Sequence, residues 1–198
     1  MTLALFLSIL AIALPSTWTP GPNNAMLASS GATFGLRRTV PHALGVALGF
    51  PLMLFLVGLF LGELFQRSAV LQQVLRWGGA ALLLWVAWKI AKSGGLGGKG
   101  ARARPLRFHE AVAFQWINPK AWAMAIGISA QFIGVDAPMR SALGLAAVFV
   151  LSGLSSAFGW ASAGAVLARF LATPARLRIF NVTMSGLIVL GVVWMLRV

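Results

Sequence analysis

The chain has 198 residues, of which 59% are hydrophobic and 10% are charged, and its mean hydropathy is +0.87. A soluble domain carries about 25% charged residues, so this composition excludes that class and predicts an integral membrane protein. The net charge of +13 does not indicate nucleic-acid binding, because the basic residues lie between apolar blocks and form no basic face on a soluble module. The sequence has no cysteine, two histidines and three acids. We therefore expect no disulfide, no metal and no cofactor.

The first apolar segment spans residues 3–14 and is followed by Thr-Pro-Gly-Pro-Asn-Asn at 19–24. No basic residue precedes this segment and no small-residue cleavage site cleanly follows it, so we expect a retained helix and not a signal peptide. Two prolines flanking a glycine end a helix, and Asn23 or Asn24 can accept from the free N–H groups of a new one. The stretch predicts a broken membrane helix, which lipid tolerates only where the break is buried in protein or lines a wet cavity.

The second and third segments complete the first half of the chain. The second spans residues 40–65 and carries Gly45 and Gly49 in a G-x-x-x-G spacing, which predicts close packing against another helix. A bend is expected at Pro51. The third spans residues 71–90 and has tryptophans near its ends, which is typical of the membrane interface.

A basic, glycine-rich stretch at residues 93–107 divides the chain into two parts, 1–92 and 108–198. The segment from Gly94 to Lys99 is one residue short of the nucleotide-binding pattern G-x-x-x-x-G-K, and Gly100 stands where Ser or Thr would bind magnesium. We therefore interpret the stretch as a flexible basic linker on the cytoplasmic side.

The second half again holds three segments, at residues 108–133, 143–167 and 179–196, and the first of them is interrupted by Asn118-Pro119-Lys120. Each block has about 20 residues or more, enough to cross a hydrocarbon core of roughly 30 Å. The predicted fold is an all-α integral membrane protein with six transmembrane helices.

The basic residues predict the orientation of these helices. If the first loop is cytoplasmic, most Lys and Arg residues fall on that side, as the positive-inside bias requires, and both termini are periplasmic. Because each half has three spans, the second half enters the membrane inverted relative to the first. We expect two inverted three-helix repeats, with the first helix of each repeat broken at a Pro/Asn motif.

These motifs resemble the lysine exporter (LysE/RhtB) family: Pro-Gly-Pro-Asn at 20–23, Phe-Gln-Trp-Ile-Asn-Pro-Lys-Ala at 114–121, and Ser185-Gly186. Gly49-Phe50 and Trp-Val-Ala-Trp-Lys-Ile at 85–90 are similar to the branch of cysteine and O-acetylserine exporters. The resemblance implies a secondary transporter of the bacterial inner membrane that exports amino acids or close relatives by proton antiport. Many members carry an acid after the second glycine, where this chain has Phe50, which argues against a coupling carboxylate there.

The two helix breaks can supply the groups that a zwitterionic substrate needs. A helix N-terminus offers a positive dipole end to the substrate carboxylate, and a charged lysine inside an apolar segment is costly and therefore a functional candidate. The alternatives are that Lys120 extends to the interface and that Asn23 and Asn118 only cap helices. The predicted substrate-binding residues are Pro20, Gly21, Pro22, Asn23, Asn24, Asn118, Pro119 and Lys120.

Proton coupling has no clear carboxylate, because Glu63, Glu110 and Asp136 all lie near segment ends. A histidine titrates near neutral pH, so His42 is the candidate proton carrier, with a purely local hydrogen bond as the alternative.

Two other functions are considered, an exporter of divalent metal cations and a polytopic membrane partner without transport. The first requires inward carboxylates or thiolates, and the second has no use for a buried lysine beside two helix breaks. An enzyme is not expected, because no pair of nucleophile and base is evident.

The expected partners are a small amino acid, protons and the lipid bilayer, with no nucleic acid. The oligomeric state is open, with a homodimer as one alternative.

Overall fold

The computed structural model describes residues 1–61, 68–92, 104–134, 136–168, 170 and 173–197. Within these ranges the chain is helical and contains no β-strand, which confirms the predicted all-α class. Most of the linker, residues 93–103, and also Glu63 lie outside the described residues. The helices are α1 (Leu3–Trp18), α2 (Pro22–Phe34), α3 (Leu36–Leu56), continued by a π-helical turn at Val57–Leu61, α4 (Ala69–Lys92), α5 (Phe108–Gln115), α6 (Pro119–Phe132), α7 (Pro138–Leu167) and α8 (Pro174–Arg197).

The first predicted break separates α1 from α2, whose axes differ by 58°. Helix α1 passes through Pro15 and ends at Trp18, and its last turn closes with the Thr19 N–H donating to the Pro15 carbonyl at 2.8 Å. Pro22 is the first residue of α2, a position where the missing N–H has no helical partner to lose. The backbone between the two helices is extended at Gly21.

The second predicted break separates α5 from α6. Helix α5 ends at Gln115, and α6 restarts with Pro119 at its first position. Asn118 caps the new helix, because its Oδ1 accepts from the Lys120 N–H at 3.1 Å. The same local chemistry, a proline just inside a helix start, thus produces both breaks.

By length and composition, Leu36–Phe60 and Pro138–Leu167 can each cross a membrane, and the bent pair α1–α2 is a third span if counted as one. Arg178–Val193 is a shorter apolar helix. Helix α3 begins four residues before the predicted start, and α7 begins five residues before its own. Both differences arise because hydropathy locates only the apolar part of a helix, whereas the helix itself continues into more polar sequence.

The centre of the bundle is built from small residues that let helices approach closely. Gly31 of α2 packs against the backbone of Ala161 in α7, and Gly164 of α7 packs against the backbone of Ala28. A Cβ on either glycine would overlap the facing backbone. Helices α2 and α7 are therefore held in backbone contact, as in the small-residue interfaces of membrane helices.

The G-x-x-x-G pair of α3 faces α5. Gly45 lies against the Phe108 carbonyl, and a Cβ on Gly49 would lie 2.9 Å from Cα of Val112. This contact positions α5, and hence the second break, beside α3.

Candidate functional site

The two helix breaks meet inside the bundle. Nζ of Lys120, on the first turn of α6, donates a hydrogen bond to the Thr19 carbonyl at 2.9 Å. Its side chain lies along Gly21, where a Cβ would stand 3.2 Å from both Cδ and Nζ of the lysine. The absence of a side chain at Gly21 therefore leaves room for the ammonium to reach the end of α1.

A second contact joins the same two breaks. Nδ2 of Asn23 donates to Oε1 of Gln115 at 2.9 Å. Gln115 is fully buried, and its own Nε2 donates to the Ala111 carbonyl at 2.9 Å, which fixes the orientation of its amide. Oδ1 of Asn23 is buried and has no hydrogen-bond partner among the described residues. A buried acceptor without a partner is costly, so a ligand or water is expected there.

These groups line a cavity of about 60 Å³ at the centre of the bundle. One water needs roughly 10–15 Å³ measured in this way, so the space holds about four waters or a comparably small polar group. One wall is polar and comes from the two breaks and from Ser156 of α7. The apolar wall comes from α3 and from the other α7 residues of the lining. The lining residues are Ser16, Thr17, Gly21, Pro22, Asn23, Asn24, Val46, Ala47, Phe50, Pro51, Gln115, Asn118, Lys120, Ala121, Met124, Phe149, Gly153, Ser156 and Ala157.

Six of the eight predicted binding residues belong to this lining, and two do not. Pro20 is exposed and is absent from the lining. Pro119 is buried, with its ring against Gly79 of α4, where a Cβ would lie 2.6 Å from Cγ of the proline. Both prolines shape the breaks without lining the cavity.

The predicted capping role of Asn23 and Asn24 is wrong. With Pro22 as the first helical residue, the cap position falls on Gly21, and both asparagines lie inside α2. Nδ2 of Asn24 points backwards and donates to the carbonyls of Thr17 at 2.8 Å and Thr19 at 3.0 Å. Asn24 thus satisfies the carbonyl end of α1 instead of the amide end of α2.

Sequence reasoning missed Gln115 and Ser156, two polar residues of the lining, and also Ser152, which lies outside the lining. Gln115 was visible only as the second letter of the motif at 114–121, three residues before the cap of α6. Ser152 and Ser156 lie one turn apart in α7 and contact the end of α1. Oγ of Ser156 donates to the Thr17 carbonyl at 2.7 Å, and the hydroxyls of Thr17 and Ser152 are 2.6 Å apart. Their i, i+4 spacing was a weak signal in a helix rich in Ser, Gly and Ala.

The charge in the cavity is that of the Lys120 ammonium, which lies near the dipoles of two helix ends. No acidic side chain belongs to its lining among the described residues. Lys120 instead faces the C-terminal end of α1, where carbonyl groups carry the negative end of the helix dipole. Opposite it, the first turn of α2 offers amides that no side chain caps. No group of three or more histidine or acidic side chains suited to a metal ion occurs in the described ranges.

His42, the candidate proton carrier, lies apart from the cavity lining. It is 1% exposed, and its Nδ1 is 3.1 Å from Oγ of Ser30, so it joins α3 to α2. Glu110 lies outside the cavity and forms an ion pair with Arg104, with Nη1 and Oε2 2.7 Å apart.

Known proteins resemble this chain over most of its length. Residues 16–197 match the family described as LysE type translocator. A cysteine/O-acetylserine efflux protein of Klebsiella pneumoniae is 33% identical over 172 residues, which are 85% of this chain and 86% of the relative. The protein with that description in Escherichia coli K12 is 31% identical over 173 residues, covering 85% and 87% of the two chains. No solved structure matches the chain significantly. With this match and its apolar helices, the chain is a multi-pass membrane transporter and not an enzyme, and it belongs to the LysE type translocator family.

Proposed function

We propose that the protein exports a small amino acid or amino-acid derivative from the cytoplasm, with the central cavity as its binding site. The observation that carries the proposal is the meeting of both helix breaks at one cavity, where a lysine ammonium and an unpartnered amide oxygen lie together. Relatives described as cysteine/O-acetylserine efflux proteins make compounds of that size and charge the first candidates.

The cavity can bind both charges of a zwitterion. The substrate carboxylate would contact the Lys120 ammonium and the uncapped amides of α2, which form an anion site at a helix N-terminus. The substrate ammonium would contact oxygen acceptors, among them Oδ1 of Asn23, which is buried and has no donor among the described residues. A short side chain would then lie against the apolar wall, where Phe50 and Phe149 meet edge to face with ring centroids 5.5 Å apart.

We further propose that the six predicted spans form two inverted repeats. Under the repeat, the α1–α2 span corresponds to α5–α6, α3 to α7, and α4 to α8. Contacts then occur in equivalent pairs: α5 packs on α3 as α1 packs on α7, and α6 touches α4 as α2 touches α8. Such paired contacts are what a two-fold relation between the halves requires.

Alternating access is part of this proposal, because two hydrogen bonds at the cavity join the halves. These hydrogen bonds connect the first repeat to the second, one from Lys120 to the Thr19 carbonyl and one from Asn23 to Gln115. A substrate that competes for the lysine and for Asn23 would weaken these contacts, and one repeat would then move against the other. Proton antiport is part of the proposal, with His42 as the candidate carrier, because it is buried where α2 and α3 meet.

The proposed topology places both termini in the periplasm of a cell with an inner membrane. Arg37 and Arg38 at the start of α3 lie beside Arg104 and Arg107 before α5, so the first loop and the end of the linker share one side. The positive-inside bias makes that side cytoplasmic. A reporter fused after Val198 should therefore be periplasmic in intact cells. A cytoplasmic reporter would overturn both the topology and the direction of export.

The function is tested by counterflow in liposomes containing the purified protein. Cysteine, O-acetylserine and other amino acids are supplied in parallel with divalent cations. Uptake of one amino acid against a preloaded pool, increased by a pH gradient, is the expected result. Exchange of a cation but of no amino acid would favour a metal exporter. No exchange of any solute by folded protein would favour a partner protein without transport.

A further inference from the structure

A second, open pocket of about 370 Å³ lies at one end of the bundle, away from the central cavity. Its walls come from the end of α2, the start of α3 and the short segment that precedes α5. The first repeat and the end of the linker therefore both contribute to it. The lining residues are Phe34, Arg37, Arg38, Pro41, Arg104, Pro105, Leu106 and Arg107.

The pocket has a strong excess of positive charge. Four guanidinium groups line it, and the acid in contact with them is Glu110, which lies outside the lining. Both carboxylate oxygens of Glu110 accept from Arg104, at 2.7 and 2.8 Å, and one also accepts from the backbone N–H of Arg107. The carboxylate is thus occupied by the segment on which it sits, and it leaves the pocket with a net charge of about +3.

Two of the arginines occupy an unfavourable position unless an anion is near. Arg37 and Arg38 are exposed in the first turn of α3, which contains no acidic residue. Basic side chains there add to the positive end of the helix dipole and destabilise the helix start. In the described part of the chain neither residue forms an ion pair with an acid. An anion bound beside Arg37, Arg38 and Arg107 would offset this cost.

We propose that this pocket binds the phosphate group of an anionic phospholipid. Guanidinium groups match phosphate oxygens with two parallel hydrogen bonds, and basic pockets between membrane helices bind anionic headgroups. The surface beside the pocket supports a lipid over free phosphate. Leu36 is 37% exposed and Phe108 is 43% exposed, and each is the chain neighbour of a pocket arginine. They offer an apolar surface to acyl chains where a soluble anion would gain nothing.

The proposal does not depend on which solute is transported. Arg37 and Arg38 belong to the first half, and Arg107 is the last linker residue and the cap of α5, the first helix of the second half. A bound headgroup would therefore connect the first half to the start of the second, at the end of the bundle opposite the proposed periplasmic termini. Lipid composition should then affect the stability of the assembled bundle even in the absence of substrate.

The test is a thermal-unfolding titration of the purified, full-length protein in a zwitterionic detergent. Phosphatidylglycerol, phosphatidylcholine and inorganic phosphate are added separately. The expected result is a saturable rise in Tm with phosphatidylglycerol alone. The double variant Arg37→Gln/Arg38→Gln should bind this lipid roughly 30-fold more weakly. Arg140→Gln is the matched control, because Arg140 lies in the first turn of α7 and outside the pocket, and it should bind as the parent does.

Three outcomes would overturn the proposal. Equal stabilisation by phosphatidylcholine would show that the headgroup charge is irrelevant, and an unchanged titration in the double variant would place the lipid elsewhere. The same stabilisation by inorganic phosphate would make the ligand a soluble anion. If the double variant does not fold, Arg107→Gln alone should weaken binding about fivefold, and parent-like binding by that variant would also refute the site.

Discussion

Replacing Lys120 by methionine separates the charge of this residue from its packing. The substitution keeps an unbranched side chain beside Gly21 but removes the ammonium that donates to Thr19 at 2.9 Å. A hydrogen bond to a charged group contributes about 1.5–3 kcal/mol. If the substrate carboxylate makes an equivalent contact in the transport cycle, kcat/KM for efflux should fall by roughly 10- to 150-fold.

Stability should not fall with affinity, which distinguishes lost binding from misfolding. A lysine at the middle of a membrane span costs about 2.5–3.5 kcal/mol on insertion scales, and removing this cost offsets the loss of the hydrogen bond to Thr19. Lys120→Met protein should therefore insert normally and unfold at no lower temperature than the parent. The assay is substrate counterflow in liposomes at matched protein content. Lys92→Met serves as the control, because Lys92 lies at the end of α4 with Nζ 4.3 Å from the Trp88 ring, outside the cavity.

Normal efflux by well-inserted Lys120→Met protein would refute this reasoning. The ammonium would then serve only to close the carbonyl end of α1. Lys120→Arg gives a graded comparison, because the guanidinium is broader than the ammonium and Gly21 leaves little space beside the stem. Partial activity is expected from the arginine variant.

Three further predictions concern the cavity, the packing and the linker. Asn23→Ala removes the hydrogen bond to the second break and should weaken apparent substrate affinity about tenfold in the same assay. Gly164→Ala should lower the unfolding free energy by about 1–3 kcal/mol in thermal melts, whereas Gly186→Ala, which meets no atom within 4 Å, should be neutral. In the linker, the double variant Gly97→Ala/Gly98→Ala should transport as the parent does, because a flexible tether does not depend on these glycines. ATP-driven transport in the absence of an ion gradient would instead indicate a nucleotide site in the linker.

The helices and both breaks could be predicted from the sequence because they depend on local chemistry. A proline removes a donor wherever the chain folds, and long apolar segments have few alternatives to a helix in lipid. Residues of both breaks were assigned to one substrate site from the sequence, and the contact of Lys120 with Gly21 brings the two breaks side by side.

The orientation of individual side chains could not be predicted. With Pro22 as the first helical residue, the cap lies at Gly21, two residues before Asn23 and three before Asn24, and Asn24 is a donor to α1 instead of a cap. Gln115 was missed because its partner lies 92 residues away in the chain, and only the packing of α5 on α3 brings the two together. Such contacts depend on tertiary geometry, for which hydropathy and spacing carry no signal.

The carbonyl end of α1 is the common acceptor for three separate elements. The Thr17 carbonyl accepts hydrogen bonds from the side chains of Asn24 and Ser156. The Thr19 carbonyl accepts hydrogen bonds from the side chains of Asn24 and Lys120. Both acceptors are main-chain atoms, so no side-chain substitution at either threonine can delete them. Mutation can exchange each donor in turn, while both acceptors are retained in every variant that still forms this helix end.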